Sequence, residues 1–544
     1  MDSSIQELEW GQDSMNKNVN NIPTIDPSMF EFAKRDDFSK DKKFETKPIG
    51  YFQDALYRFC RNKASVTAFV IICLLLLFAI FGPILGQSNY SNTKDDTTYL
   101  RYTKLLPKCD LFEGTGFWDG TKKETYNQNM YNKYYALELE TGYDVITKVY
   151  KKYEEVSYAT GKATYYDVRV DSYAIIGGKT GMINLTVTPD EYEDIQKWQD
   201  ENGIQVIFPA VDFPEGTLQS FTSDAFIWYK IDSKGRPVVT YDKEGNPVFE
   251  ELYKKTGEDN YTSKMRIASD PYLKGDTENA YRYAQPSGTA ENPGYTVRLF
   301  GYTYFMYRYG HEPSFLFGTD NFGYDIFTRL GQGARFSFLL AIFVSAINLT
   351  IGAIYGAIEG FYGGATDMIM ERICDILGGV PFMVVTTLFQ LHLASKVGPV
   401  VSLMFAFVLT GWLGMASLCR MQFYRYKNQE YVLAARTLGA SDARLMFKHI
   451  FPNSLGTIIT SCVLVIPSVI FSESSLTYLG IVNLESSTIT SVGTMLAHGK
   501  SELGTYPHVI LFPAIFISLL MITFNLFGNG LRDAFNPSLR GSDD

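Results

Sequence analysis

The sequence predicts an all-α polytopic membrane protein with six transmembrane helices and one inserted extracellular α+β domain. Three observations carry this. Mean hydropathy is −0.06 although 46% of the 544 residues are hydrophobic, so the average conceals two unlike materials. Residues 64–85 carry no charge and are long enough to cross a hydrocarbon core of about 30 Å. After a polar gap of more than 200 residues, apolar runs resume near 336–358, 373–394, 397–418, 456–479 and 507–529. Basic residues then orient the chain: Arg58, Arg61 and Lys63 precede the first run, and Arg420, Arg425, Lys427, Arg436, Arg444 and Lys448 lie between the fourth and fifth, which predicts that these segments are cytoplasmic. Six spans put both termini inside and residues 87–314 outside.

The elements follow in order. Residues 1–49 are polar, rich in Asn, Asp, Lys and Ser, and lack periodicity, which predicts a mostly disordered cytoplasmic tail. Residues 50–86 comprise an interfacial helix and the first span. In that helix Phe52, Leu56 and Phe59 share one face, and Arg58, Arg61 and Lys63 meet lipid headgroups. The span lies deep in the chain and lacks a small-residue cleavage site, so it reads as an uncleaved anchor. Residues 315–535 hold the other five spans and a cytoplasmic loop at 420–455, and 536–544 form a cytoplasmic tail.

The 87–314 segment is large enough for its own core and holds 27 of the 37 tyrosines. Tyrosine suits carbohydrate or peptide contacts, although ordinary core and surface positions are the preferred reading. Thr188-Pro189-Asp190-Glu191 has the form of a capping box with proline at the first helical position, predicting a helix that ends at Gly203 and a strand over 204–208. A D-x-x-G-x-P-V pattern at Asp232 and again at Asp242 predicts turns around short strands. Gly177-Gly178-Lys179-Thr180 resembles the end of a Walker A loop, but Tyr173 stands where the first glycine is needed, so it reads as a glycine turn. Cys109 is the one cysteine of six in this segment, which excludes an external disulfide framework within the chain. The net charge of −10 carries little functional information, and nothing suggests nucleic acid, a metal site or covalent chemistry.

Between the fourth and fifth spans, residues Glu430 to Asn453 form a fully punctuated bracket. Glu430 to Leu438 is rich in helix formers, Gly439 suits a left-handed helix end, Ser441 can cap a second short helix, and Pro452 is expected to stop it. Arg444 and Lys448 share a face, either to pair with acidic partner residues or as a solvated basic surface.

This bracket resembles the EAA motif of ABC importer permeases. Its variant with Tyr431, Ala434, Ala435, Arg436, Gly439, Ser441, His449, Pro452 and Asn453 is similar to the oligopeptide/dipeptide/nickel permease family. Gly318-Thr319-Asp320, Asp325, Arg329-Leu330 and Gly333-Ala334-Arg335 resemble that family's entry to its second helix. Tyr362-Gly363-Gly364, Asp367, Arg372, Asp375 and Pro381 resemble its second cytoplasmic block. Glu473, Leu476 and Leu479-Gly480, and Asn525-Leu526, Gly528 and Gly530-Leu531-Arg532-Asp533, resemble two further blocks. Residues 55–83 look like the amino-terminal segment of OppC/DppC-like subunits. The resemblance covers 50–88 and 314–540. Tyr324, Thr477-Tyr478 and the Gly528-Asn529-Gly530 opening of the last block depart from the usual pattern, and the long 87–314 insertion departs most.

The resemblance implies a type I ABC importer permease in a bacterial plasma membrane, forming half of a translocation pathway for oligopeptides or dipeptides. Oligosaccharides or nickel chelates are alternatives, and a membrane-anchored receptor with an extracellular ligand-binding domain is the alternative of another class. The implied partners are a second permease subunit (OppB/DppB-like), two cytoplasmic ATPase subunits (OppD/OppF-like), an extracellular solute-binding lipoprotein and the lipid bilayer. ATP-Mg would be bound by the ATPases, with no cofactor in this chain and no ATPase site of its own. ATPase coupling falls to Glu430, Ala434, Ala435, Gly439, Ser441, Arg444 and Lys448.

Asp367, Glu371, Arg372 and Asp375 cluster at the inner end of the third span and are expected to pair with each other or with the bracket. Glu473, a carboxylate inside a span, needs a partner or a water-filled cavity; it is a candidate for lining or, preferably, bracing the outer gate. Pro381 and Pro467 are expected to kink helices around the pathway. The insertion could dock the binding protein, clamp the sister permease or bind wall polymer, with docking preferred.

Overall fold

A computed structural model describes residues 51–86, 102–157, 161–176, 181–208, 238–250, 284–289, 291–485 and 489–535. The predicted tails, the Gly177–Thr180 turn and the first D-x-x-G-x-P-V turn lie outside these residues. Residues 1–56 and 57–544 are two units.

Helix α1 (Tyr51–Arg61) is followed at once by α2 (Lys63–Leu85), separated from it by Asn62, whose side chain accepts hydrogen bonds from the Ala64 and Ser65 amides and starts the second helix. Among the described residues, the insertion then builds three small antiparallel sheets. In the first, β3 (Gly161–Asp171) lies between β1 (Thr121–Asn127) and β2 (Ile146–Ser157), and α3 (Gln128–Thr141) connects β1 to β2. In the second, β9 (Pro293–Phe300) pairs with β4 (Met182–Val187), β5 (Ile207–Phe208) and β8 (Ala284–Gly288). The third is the β6 (Val239–Tyr241) and β7 (Pro247–Phe249) hairpin.

Helix α4 (Pro189–Asn202) begins and ends where its capping box predicts: Thr188 accepts from the Glu191 amide, and Gly203 closes the helix at φ 67°. Of the strand expected over 204–208 only Ile207–Phe208 forms, and the Gln199 side chain accepts from the Val206 and Ile207 amides beside it. Much of the tyrosine goes inward: Tyr102, Tyr134, Tyr173, Tyr192 and Tyr304 are fully buried, and Tyr131 stacks on Tyr166 at 4.0 Å. Arg298, wholly buried, is held by Glu140, a pairing without which its charge could not be tolerated there. Helix α5 (Gly301–Tyr309) returns the chain to the bundle.

The core follows: α6 (Ile326–Tyr362), α7 (Gly364–Gly378), α8 (Phe382–His392), the single turn α9 (Ala394–Val397), α10 (Pro399–Gly411), α11 (Leu413–Tyr426), α12 (Glu430–Thr437), α13 (Asp442–Arg444), a π-helical stretch Leu445–Ile450, α14 (Phe451–Tyr478), α15 (Val492–Gly499) and α16 (His508–Phe535). Among the described residues five helices are long and apolar enough to span a membrane, or six if the bent pair α7–α8 is one span. The third apolar run is bent, at the proline for which a kink is expected. It breaks by 70° where Gly378, Gly379 and Pro381 follow one another, and Pro381 occupies the N-cap of α8 because its fixed φ and missing amide suit a helix start.

Helix α6 runs for 37 residues, about 55 Å at 1.5 Å per residue, far more than the 336–358 stretch that hydropathy marks. Its amino end is fixed by Asp325, which accepts from the Phe327 and Thr328 amides. Gly352, Gly356 and Gly360 face the α10–α11 chain so closely that an added Cβ would lie 2.7, 2.1 and 2.6 Å from the carbonyl oxygens of Trp412, Ala416 and Arg420. Small residues of this kind let membrane helices meet backbone to backbone. Ile72, Leu75, Leu330, Phe338, Val469 and Leu520 are among the buried side chains that join α2, α6, α14 and α16 in the main apolar core.

Candidate coupling surface and membrane carboxylate

The bracket is built by two local signals. Helix α12 ends in a pair of bonds, Gly439 amide to Arg436 carbonyl at 3.0 Å and Ala440 amide to Ala435 carbonyl at 3.1 Å, with Gly439 at φ 84°. This is the Schellman arrangement, in which a left-handed residue lets two orphan carbonyls be satisfied. Ser441 takes the extended N-cap position of α13, but its side chain makes no cap hydrogen bond, so the backbone alone sets that start. Pro452 does not stop the second helix, contrary to expectation. Helical structure continues from Asp442 to Tyr478, because the π turns ahead of Pro452 already shift the bonding register and leave the proline in the first turn of α14, where no amide is required.

One face of the bracket is a small core of its own. Val432, Leu445 and Ile450 are fully buried against Phe361 of α6 and Phe423 of α11, seating the bracket on the inner ends of both helices. Ala435 packs with this core, whereas Ala434, Glu430, Arg444 and Lys448 face outward. The outward face also carries large apolar groups: Leu438 at the turn is 88% exposed, and Tyr431, Leu433 and Phe447 are exposed too. Apolar side chains gathered on an otherwise charged loop have the composition of a contact surface. Partial desolvation, with the neighbouring Tyr426, holds the Tyr431 phenol above its usual range although the side chain is largely exposed; its oxygen accepts from Asn453, which also donates to the His449 carbonyl.

Beside the bracket, the expected cluster of four charges divides. Arg372 pairs with Asp375 in solvent at 2.9 Å. Asp367 and Glu371 instead turn to Arg420 of α11, which reaches Asp367 with two bonds of 2.6 and 3.0 Å, Glu371 at 3.5 Å and the buried Glu359 of α6 at 3.4 Å. One guanidinium thus joins α6, α7 and α11. Sequence reading counts Arg420 only as a basic flank. No local pattern marks it, since it lies just past the apolar run at 397–418 and its partner Asp367 is 53 residues away.

Glu473 of α14 is completely buried. Its carboxylate accepts from Ser337 of α6 at 3.0 Å and from Ser474 and Thr477 at 3.3 Å each, so hydroxyls satisfy it and tie α14 to α6. Ser337 is the partner that sequence reading missed, because a serine inside an apolar run carries no distinguishing pattern. Pro467 is buried inside α14. A cavity of about 130 Å³ lies between α6, α10–α11 and α14 among Ser345, Asn348, Ser461 and Cys462.

The insertion is rooted in the core. The Leu105 amide donates to Thr319 Oγ1 at 2.8 Å, Lys104 and Thr319 amides bond to Asp320 and Leu105 carbonyls, and Lys104 pairs with Glu502 at 2.9 Å. Asp320 in turn accepts from the Phe322 and Tyr324 amides. Burial raises the Asp320 pKa, against the opposing pull of Arg329 and these amides.

The family model for binding-protein-dependent transport system inner membrane components matches residues 348–541, and that for the N-terminal TM domain of oligopeptide transport permease C matches 50–107. The oligopeptide transport system permease protein OppC of Bacillus subtilis is 45% identical over 224 residues, 41% of this chain and 72% of that protein. The chain belongs to the binding-protein-dependent permease family. Other permease relatives are the dipeptide transport system permease proteins DppC of Bacillus subtilis, 40% identical over 41% of this chain and 69% of that protein, and of Lactococcus lactis, 39% identical over 43% and 66%. The bracket, Glu473 and the Arg420 hub all fall within the permease match at 348–541, whereas residues 108–347, with most of the insertion, fall between the two matches.

Proposed function

We propose that this permease has the type I ABC importer fold, forms half of a translocation pathway for oligopeptides or dipeptides, and receives its driving work through the 430–453 bracket. The observation that carries the reading is the bracket's two-sided build: an inner face seated on Phe361 and Phe423 of two core helices, and an outer face that presents Leu438, Tyr431 and Phe447. A cytoplasmic ATPase that grips the outer face would move the helices under the inner one. Glu430, Ala434, Gly439, Arg444 and Lys448 shape or flank that grip, Ala435 packs on the inner core, and Ser441 contributes to the start of α13 through its backbone alone.

In this reading two cytoplasmic ATPase subunits bind ATP-Mg, a second permease subunit completes the pathway, and an extracellular solute-binding lipoprotein delivers substrate. Both termini are cytoplasmic and the 87–314 domain is extracellular, where it docks the binding protein. Glu473, enclosed by hydroxyls, braces α14 against α6 near the outer gate. The peptide names of the OppC and DppC relatives support the substrate class.

The test is ATP hydrolysis by the complex reconstituted with its partner subunits. Stimulation by short peptides presented with the binding protein is expected; stimulation by oligosaccharides or nickel chelates, and not by peptides, would replace the substrate class. Purification of a stable complex that lacks any ATPase would refute the coupling role itself.

A further inference from the structure

The loop Cys109–Gly120 (CDLFEGTGFWDG) is unusual in what it exposes. Leu111 is 89%, Phe117 63% and Phe112 39% exposed, yet the loop is carefully held. Cys109 donates its amide to the Trp118 carbonyl at 2.8 Å, and the Gly116 amide donates to Asp119, a buried carboxylate that also accepts from Thr121 Oγ1 at 2.7 Å. Trp118 sits at φ 58°, a conformation that costs a bulky residue energy and persists only where the surroundings enforce it. That backbone turns the rings of Phe112, Phe117 and Trp118 onto one another, with centroids 5.6 to 6.3 Å apart. A well-built loop that displays apolar tips has a use for them.

Its position identifies the partner. Trp118 donates Nε1–H to the Leu316 carbonyl and lies 5.5 Å from the ring of Phe512 in the second turn of α16. Phe512 stacks on Phe317 at 4.2 Å, Phe317 meets Phe327 at 5.3 Å, and Phe327 meets Phe78 of α2 at 5.1 Å. The loop is thus continuous with the end of the bundle where α2, α6 and α16 leave the membrane. Next to Phe512 begins an exposed stripe of α16, Leu511, Ile515, Leu519, Ile522 and Leu526, spaced to face lipid along one side. Aromatic rings at such a boundary settle at headgroup level with their apolar neighbours below them.

We propose that this loop is a monotopic anchor: Leu111, Phe112 and Phe117 enter the interfacial region of the bilayer that α16 crosses, and Trp118 marks the headgroup level. The partner is the lipid surface, gripped by apolar burial and not by charge, since the charged groups at the tip are Asp110 and Glu113. The inference stands apart from the peptide reading, needing only that the core helices span a membrane.

The test uses the complete complex in vesicles of phosphatidylcholine that include a phosphatidylcholine carrying a diazirine on its acyl chain. After photolysis, peptide mapping is expected to find lipid adducts on the 109–120 segment as well as on the α16 stripe, and none on β2. The Leu111→Ser, Phe112→Ser, Phe117→Ser variant, assembled normally, is expected to lower the loop adducts at least about five-fold while the α16 adducts stay unchanged. Adducts on α16 with none on 109–120 would overturn the proposal, whether water or protein covers the loop. If the triple variant fails to assemble, Leu111→Ser alone, at a side chain with no ring contact, is read for the same partial loss; an unchanged yield there with adducts confined to residues other than 110–118 would equally overturn it.

Discussion

Arg420 Nε of α11 lies 2.6 Å from Asp367 Oδ1 of α7, and Nη2 of the same guanidinium lies 3.0 Å from Oδ2. The two bonds are parallel and fix the helices in register as well as in contact. Because Glu359 of α6 and Glu371 of α7 approach the same cation, three carboxylates share one arginine.

Arg420→Ala is therefore expected to destabilise the assembled permease by about 3 kcal/mol, as Glu359 would remain buried without its cation. Arg420→Lys keeps the charge but cannot span both Asp367 oxygens, and is expected to fall between wild type and Ala. Thermal unfolding of the purified complex measures both, and wild-type melting in the two variants would remove the hub from the account.

Gly439 offers a cleaner dissection of the bracket. A Cβ there meets nothing within 4 Å, so Gly439→Val acts only through the φ of 84°, at a cost of roughly 1–2 kcal/mol or more for a β-branched residue. Peptide-stimulated ATP hydrolysis and uptake are expected to fall together in the Val variant and to survive largely in Gly439→Asn, which tolerates that conformation. Equal loss in both would mean that the partner surface, and not the turn, is what glycine serves.

Glu473→Leu would leave the hydroxyls of Ser337, Ser474 and Thr477 without their shared acceptor, and is expected to cost about 1–3 kcal/mol and to reduce uptake. Glu473→Gln retains an acceptor and is expected to be milder in both measurements. Melting temperature and uptake unchanged in the Leu variant would show that the carboxylate does not brace α14.

Glu138 makes the insertion sensitive to pH. Burial pushes its carboxyl up to about 7 from 4.5, only partly offset by the Ile146 and Val145 amides. The folded state therefore binds a proton more tightly than the unfolded one, and this contribution is full below about pH 4.5 and lost as pH rises through about 7. Protection factors across α3 and β2, corrected for the base catalysis of amide exchange, are expected to be lower at pH 8 than at pH 5, and Glu138→Gln is expected to flatten that difference. The same slope in the variant would point to another group.

The spans are legible in the sequence because twenty uncharged residues have few other uses, and Gly439 and the Thr188 capping box are legible because each depends on chemistry within one turn. The break at Pro381 falls where a kink is expected, with Gly378 and Gly379 just before it, but apolar composition alone does not set how sharp it is. The join between the bracket and α14 is hidden for a different reason: a proline normally signals a stop, and the π turn that accommodates Pro452 depends on packing by Leu445, Met446 and Ile450. Arg420 is hidden by distance, since Asp367 lies 53 residues away and no local pattern connects them. Ser337 and Glu473 are 136 residues apart and are hidden in the same way.

The three glycines of α6 that rest on the carbonyls of Trp412, Ala416 and Arg420 restrict what these helices can do. With no side chain between them, neither can roll or slide without driving backbone into backbone. A larger side chain at any one of the three would push the two helices apart, and with them Phe361 and Phe423, on which the bracket rests.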